Sequence, residues 1–250
     1  MMVSHRLKHI LRQASSMCVL TGAGISAESG VPTFRGKDGL WKKFKPEELA
    51  NFDAFIRNPE LVWEWYSYRK RLIDNVRPGA GHTALAELER FVPRFTLVTQ
   101  NVDNLHQRAG SKRVLELHGN IERSYCIACG SDANEEHLNR TEGVPRCERC
   151  GGLVRPAVVW FGELLPHDVF NEAEEAARWC DVFLCVGTSA VVYPAAALPA
   201  TAKHAGAYVV EVNMERTDIS HYVDESLIGL AGTILPELVG ILREEKEKIA

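Results

Sequence analysis

Along the chain, short apolar and β-branched runs alternate with longer stretches whose apolar residues recur every three or four positions. The runs at 17–21, 95–99, 114–117, 181–186 and 207–212 predict strands, and the helical spacing predicts helices at 5–14, 60–76, 82–90, 168–179, 193–204 and 235–248. The first helix carries Leu7, Ile10, Leu11 and Ala14 on one face. It also carries Arg6, Lys8 and Arg12 with no acid before Glu28, as a weak organellar transit peptide would. The helix is the better reading, because a strand and a glycine turn follow almost at once and leave little to cleave. Strands alternating with helices build βαβ units, so an α/β fold is expected, with a mostly parallel sheet and helices on both faces. Such sheets bind ligands at the carboxyl ends of their strands.

Two segments break the alternation. Residues 34–80 are helical and aromatic, with Trp41, Trp63, Trp65, Tyr66 and Tyr68, and residues 123–155 are short, polar and cysteine-rich. Both read as insertions, a helical insert and a cysteine module, that together build a smaller lobe. The larger domain is then discontinuous, made of 1–33, 81–122 and 156–250.

The length of 250 residues allows one large α/β domain with a small insert. With 46% hydrophobic and 25% charged residues, the composition excludes disordered, collagen-like and coiled-coil classes. No apolar run approaches the roughly 18 residues of a membrane span. Lys and Arg number 29 against 33 Asp and Glu, a net charge of −4, which gives no broad electrostatic reason to bind nucleic acid. The seven cysteines, an odd number without a secretory signal, point to a reducing compartment, and a cytoplasmic location is expected.

Thr21-Gly22-Ala23-Gly24-Ile25-Ser26-Ala27 follows the first predicted strand. Gly22, Gly24 and Ala27 fit the G-x-G-x-x-G/A fingerprint of a Rossmann-like dinucleotide-binding domain. In it the first glycine permits a tight turn, the second lets backbone N–H groups approach a pyrophosphate, and a small third residue lets the helix pack closely. A helix N-terminus there favours the phosphate charge. One departure matters: a dehydrogenase carries a second strand with a ribose-binding acid about 20 residues further on, and here the segment VPTFRGKDGLWKKF has no strand pattern. A ribose contact is expected instead from the end of a late strand, in AYVVEVN, with Glu211, Asn213 and Glu215 as candidates.

Cys126-x-x-Cys129 and Cys147-x-x-Cys150 are separated by 17 residues, a zinc-binding spacing. Four thiolates fill a tetrahedral Zn²⁺ and leave no position for water, so the expected site is structural. Zinc also lets a short insert fold without a core of its own. Cys18, Cys180 and Cys185 lie in apolar stretches and are expected in the core.

GAGISAESGVPTFRG (22–36), TQNVDNLHQRAG (99–110), ELHGN (116–120), the two cysteine pairs, VVWFGE (158–163), GTSAVV (187–192) and EVN (211–213) occur in the order seen in sirtuins. The chain resembles these NAD-dependent protein-lysine deacylases over roughly residues 5–245. The resemblance implies that NAD is consumed as a co-substrate. The acyl-lysine amide oxygen attacks C1′ of the nicotinamide ribose, nicotinamide leaves, and a general base activates a ribose hydroxyl. Lysine and O-acyl-ADP-ribose are released. His118 is the implied base; it ends a predicted strand, and imidazole titrates near neutral pH. His106 is expected to be structural.

The resemblance further places Gln100 and Asn101 near the nicotinamide ribose and Asp103 near the nicotinamide pocket; ordinary helix capping is the simpler alternative for Asn101 and Asp103. Thr33, Phe34 and Arg35 would form a cofactor loop, Phe34 shielding the reactive carbon and Arg35 approaching phosphate. Gly22, Ala23 and Gly24 would hold the diphosphate with Gly187, Thr188 and Ser189. Asn213 would hold the adenosine ribose and Ala231 would line the adenine pocket. Val159, Trp160 and Phe161 would form the acyl-lysine tunnel and pair with the substrate backbone as an added strand.

Tyr66 and Arg69, three apart on a predicted helix, share a face, and a guanidinium beside a phenol makes a carboxylate clamp. They resemble the Tyr-x-x-Arg pair of the sirtuin class that recognises succinyl- and malonyl-lysine, and Ala27 also fits that class. Tyr68 and Arg71 have the same spacing; distance from the glycine motif favours Tyr66 and Arg69. Removal of succinyl, malonyl and acetyl groups is therefore expected, from acylated-lysine proteins or peptides, by a monomer that uses neither nucleic acid nor membrane. A protein mono-ADP-ribosyltransferase and a non-catalytic NAD- or ADP-ribose-binding module are the alternatives. The presence of His118, Asn101 and Asp103 argues against the second.

Overall fold

A computed structural model of the chain describes residues 3–34, 40, 45–141 and 143–249. Its strands are β1 (Ser16–Thr21), β2 (Arg94–Thr99), β3 (Val114–Glu116), β4 (Gly119–Cys126), β5 (Val154–Val158), β6 (Val182–Val186), β7 (Tyr208–Asn213) and β8 (Glu225–Ile228). Six of them form one sheet in the order β3-β2-β1-β6-β7-β8, every neighbour parallel, and β4 pairs antiparallel with β5 in a separate two-stranded sheet.

The apolar strand runs follow from coverage on both faces. Met17 and Val19 of β1 pack on one side with Leu97, Leu184 and Val210, under helices α1 (His5–Gln13), α6 (Ala80–Phe91) and α11 (Ala231–Ile249). Cys18 and Leu20 face the other side with Val98 and Phe183, under α9 (His167–Trp179) and α10 (Leu198–His204). Cys18, Cys180 and Cys185 are buried as expected, and burial pushes the Cys18 thiol well above its ordinary pKa.

A third core belongs to the small lobe. Helices α3 (Pro46–Leu49), α4 (Phe52–Arg57) and α5 (Pro59–Asp74) pack through Phe55, Val62, Trp65 and Tyr66 against Val158 and Trp160. Local chemistry sets the ends of α5. The Asn58 side chain accepts from Leu61 N–H at 3.2 Å, and Pro59 occupies the first turn, where its missing donor costs nothing. At the other end the Arg108 guanidinium donates to the Ile73 and Val76 carbonyls. Arg108 closes the short helix α7 (Leu105–Arg108), so α5 is tied to the loop that follows β2.

The structure departs from the sequence pattern in several places. Strands β4, β5 and β8 were not predicted: β4 and β5 bury Ser124 and Arg155 among their apolar residues, and β8 is a four-residue edge strand. Helix α11 starts at Ala231 rather than 235, because the Glu28 carboxylate accepts from Gly232 N–H at 3.1 Å to each oxygen, placing negative charge at the helix N-terminus. The helix predicted over 193–204 begins later, with a 3₁₀ turn at Ala195–Ala197 leading into α10. No helix among the described residues is long and apolar enough to cross a membrane.

Candidate active site

In the sheet order β3-β2-β1-β6-β7-β8 the chain winds one way from β1 and the other way from β6, so the crevice lies at the carboxyl ends of these neighbours. Two glycine loops meet there. Gly22 N–H donates to Val186 O at 3.0 Å and Gly24 N–H to Gly187 O at 2.7 Å. A Cβ on Gly24 would lie 2.7 Å from Gly187 Cα; one on Gly187, whose φ is +59°, would lie 2.4 Å from Ile25 N. The glycines are needed first because the loops touch each other. The Gly22 and Gly24 amides themselves donate to protein carbonyls.

Beneath this crossing lies a buried polar network. Gly79 N–H donates to His82 Nδ1 at 3.2 Å, so the imidazole proton sits on Nε2, 3.3 Å from Ser26 Oγ. The Ser26 hydroxyl donates to Asp103 Oδ2 at 2.7 Å, and Asn101 Nδ2 donates to Ser26 Oγ at 3.1 Å and to Gly22 O at 3.0 Å. Burial pushes His82 down to about 4 against the pull of the Asp103 charge, so it is neutral at pH 7. His106 lies beside it, ring centroids 4.9 Å apart, with Nε2 2.9 Å from Thr21 Oγ1, and is pushed well below the ordinary value by burial and by His82. Asp103 Oδ1 also accepts from Leu105 N–H at 3.1 Å, so it caps α7 as well as facing the network. Ser26 and His82 were missed as members of this network. His82 comes from α6 in a segment with no motif spacing, and Ser26 is an unassigned position inside the glycine fingerprint.

His118 sits between β3 and β4. Its Nδ1 lies 2.9 Å from Gln100 O, which can only accept, so Nδ1 carries the proton and Nε2 keeps a free lone pair. Burial pushes its pKa below the ordinary value, with the Gln100 hydrogen bond opposing. Gly119 follows it at φ +76°, where a Cβ would lie 2.1 Å from Ala157 O; only glycine lets β4 begin its pairing with β5 at this point. Val159 N–H donates to His118 O at 2.9 Å, and Phe161 N–H to Ala50 O at 2.9 Å.

At the strand ends, Gln100 Nε2 donates to Thr188 Oγ1 at 2.9 Å and Asn213 Nδ2 to Thr188 O at 3.0 Å, joining three predicted cofactor residues. Ser189 is exposed beside them, and Ala231 is buried at the start of α11. Glu211 is a correction. Its carboxylate is fully buried and accepts from the hydroxyls of Thr217, Ser220 and Ser226, so its oxygens are already engaged and closed off from a ribose. Glu215 is exposed past the strand end. Arg35 lies outside the described residues, whereas Phe34 is described, its ring 4.6 Å from the Arg69 guanidinium carbon.

Burial separates the two Tyr-x-x-Arg registers. Tyr66 and Arg69 are 3% and 8% exposed, whereas Tyr68 is 50% exposed and Arg71 faces solvent. The Arg69 guanidinium stands over the Phe34, Trp65 and Tyr66 rings and has no carboxylate or carbonyl partner among the described residues. Burial lowers the Arg69 pKa and raises that of Tyr66; their mutual interaction opposes both shifts.

The Sγ atoms of Cys126, Cys129, Cys147 and Cys150 lie within 4.8 Å of one another, with Cys126–Cys150 at 3.4 Å and Cys129–Cys147 at 3.7 Å. A tetrahedral Zn²⁺ with Zn–S bonds of about 2.3 Å sets sulfurs about 3.8 Å apart, so the quartet fits one structural zinc.

A parallel sheet wound outward from two central strands, with glycine loops at the reversal, is the architecture of dinucleotide-binding α/β proteins. Residues 22–194 match the model of the Sir2 family. An NAD-dependent protein deacylase of Aquifex aeolicus is 56% identical over 230 residues, covering 92% of this chain and 96% of its own. A Sir2 homologue mutant solved with ADP-ribose superposes with a TM-score of 0.94 at 44% identity, covering 98% of each chain. A Sir2 complex with a p53 peptide and NAD⁺ gives 0.85 at 32% identity over 100% of each chain. The chain belongs to the Sir2 family.

Proposed function

We propose that this protein is an NAD-dependent protein-lysine deacylase that removes succinyl and malonyl groups, and acetyl groups as well, releasing nicotinamide and O-acyl-ADP-ribose. The observation that carries the acyl specificity is Arg69: a buried guanidinium with no salt bridge among the described residues, acted on by the Asp103 charge only from beyond ion-pair distance. Burying such a charge without a directly bonded partner is costly, and a carboxylate delivered by the substrate offsets that cost. The neighbouring Tyr66 phenol supplies a second donor. A neutral acetyl group satisfies neither, yet still reaches the same channel.

NAD, when bound, supplies an electrophilic ribose carbon and nicotinamide as leaving group. The protein's part is positioning and proton transfer. Gln100, Asn101 and Asp103 hold the ribose and nicotinamide end, while Thr188 and Asn213 hold the adenosine end. His118 Nε2 takes the proton of a ribose hydroxyl. Val159, Trp160 and Phe161 run past His118 and guide the acyl-lysine, and Phe34 covers the reaction centre. The same reading divides the chain into a discontinuous NAD-binding domain and a small lobe; the separate apolar core around Phe55 and Trp160 supports that division.

Two outcomes test this reading. Arg69→Met should lower kcat/KM for a succinyl-lysine peptide about ten- to a hundredfold more than for the acetyl peptide, the value of one or two charged hydrogen bonds. Equal losses on both peptides would refute the clamp. The second concerns pH. The base must be unprotonated, and burial lowers the His118 pKa, so activity persists further into acid than for an ordinary imidazole. The acid limb of log kcat/KM against pH should bend below about 6.5; a bend above that value contradicts the assignment.

A further inference from the structure

The Tyr66 hydroxyl has a single hydrogen-bond partner among the described residues, Trp160, whose Nε1–H donates to Tyr66 Oη at 2.8 Å. An indole N–H can only donate. The Tyr66 oxygen is therefore the acceptor on that side. The Tyr66 hydroxyl hydrogen must therefore point away from the indole, and it finds no protein acceptor among the described residues. Trp160 thus makes Tyr66 a committed donor, on the same helix face as Arg69, which has no salt bridge among the described residues.

Trp160 is itself held rigidly and is 2% exposed. Its ring packs on Phe55 at 5.3 Å between centroids, and the Arg155 guanidinium carbon stacks 3.4 Å from its ring centroid. Arg155 forms a two-pronged ion pair with Glu163 and donates to Val158 O at 2.7 Å. Glu163 Oε2 accepts from Trp160 N–H at 2.8 Å. The Arg155–Glu163 pair, its arginine buried and its glutamate half-buried, therefore grips Trp160 by its ring and by its backbone.

We propose that Trp160, braced by Arg155 and Glu163, is a positioning residue for acyl selectivity: it aims the Tyr66 hydroxyl at a carboxylate on the acyl chain, and so favours dicarboxylic over acetyl substrates. This rests on the Tyr66–Arg69 clamp reading, and the test separates the two. The readout is the ratio of kcat/KM for succinyl- and acetyl-lysine peptides of one sequence, in zinc-loaded enzyme. Trp160→Phe, which keeps the aromatic packing and removes the N–H, should lower the ratio about fivefold, the value of one neutral hydrogen bond, with the loss in KM for the succinyl peptide. Tyr66→Phe should lower it about tenfold or more. Adding Trp160→Phe to Tyr66→Phe should leave the ratio within about twofold of the Tyr66→Phe value, because the group it aims is gone. A Trp160→Phe ratio equal to that of the parent, or one that falls equally with and without the Tyr66 hydroxyl, overturns the inference while the clamp stands. A Tyr66→Phe ratio equal to that of the parent overturns the clamp itself. Glu163→Gln keeps an acceptor for Trp160 N–H and removes the charge facing Arg155. It answers the same question should Trp160→Phe not fold: it should lower the ratio only when Tyr66 is present, and an unchanged ratio overturns the brace.

Discussion

A His118→Ala protein is expected to bind NAD as the parent does and to deacylate every acyl peptide about a hundred- to ten-thousandfold more slowly, the range for loss of a general base. The expectation follows from how the ring is held. Gln100 O takes the Nδ1 proton, leaving Nε2 as the free proton acceptor, and burial keeps the ring neutral. The ties among Gln100, Thr188 and Asn213 do not pass through the imidazole, so the cofactor crevice should survive its removal. Calorimetric titration with NAD, beside turnover of acetyl and succinyl peptides, measures both halves. Turnover within tenfold of the parent would reject His118 as the base. The loss should be independent of acyl group, which separates it from that of Arg69→Met.

The second large effect concerns the metal. Removing zinc, by chelation or by Cys126→Ser, is expected to unfold the module between β4 and β5 and to abolish activity. Structural zinc contributes about 10–16 kcal/mol in small zinc peptides, against about 5–15 kcal/mol for the net stability of a whole domain. The four sulfurs join the end of β4 to the turn that leads into β5. From β5 the chain passes directly to Val159, Trp160 and Phe161, and Gly119 pairs with Val158 beside His118. Loss of the metal therefore reaches the site through one hairpin. Metal analysis and a thermal melt of parent and Cys126→Ser proteins check this. A variant that stays active with an unchanged Tm while holding no zinc would contradict it.

What the sequence disclosed depended on how local the signal was. The central strands β1, β2, β6 and β7 were legible because each is an apolar run covered on both faces. The cysteine quartet was legible because its chemistry is written in spacing alone. Long-range contacts were not. The glycines of the first turn read as phosphate-approach positions, but their nearest constraint is Gly187, far away in sequence and adjacent in space. Glu211 reads as a ribose acid from its place at a strand end; its carboxylate is instead buried in a cage of three hydroxyls that come from later in the chain, and Asn213, two residues on, reaches Thr188. The start of α11 depended on Glu28, which lies in the glycine segment. The spacing of Tyr66 and Arg69 was visible, but the choice against Tyr68 and Arg71 needed burial.

The most direct measurement of the central claim follows both products by mass. Zinc-loaded protein is incubated with NAD and a succinyl- or acetyl-lysine peptide. For each lysine freed, one nicotinamide and one O-acyl-ADP-ribose should appear. Free carboxylic acid formed while NAD stays intact, or peptide and NAD both left whole, would contradict it.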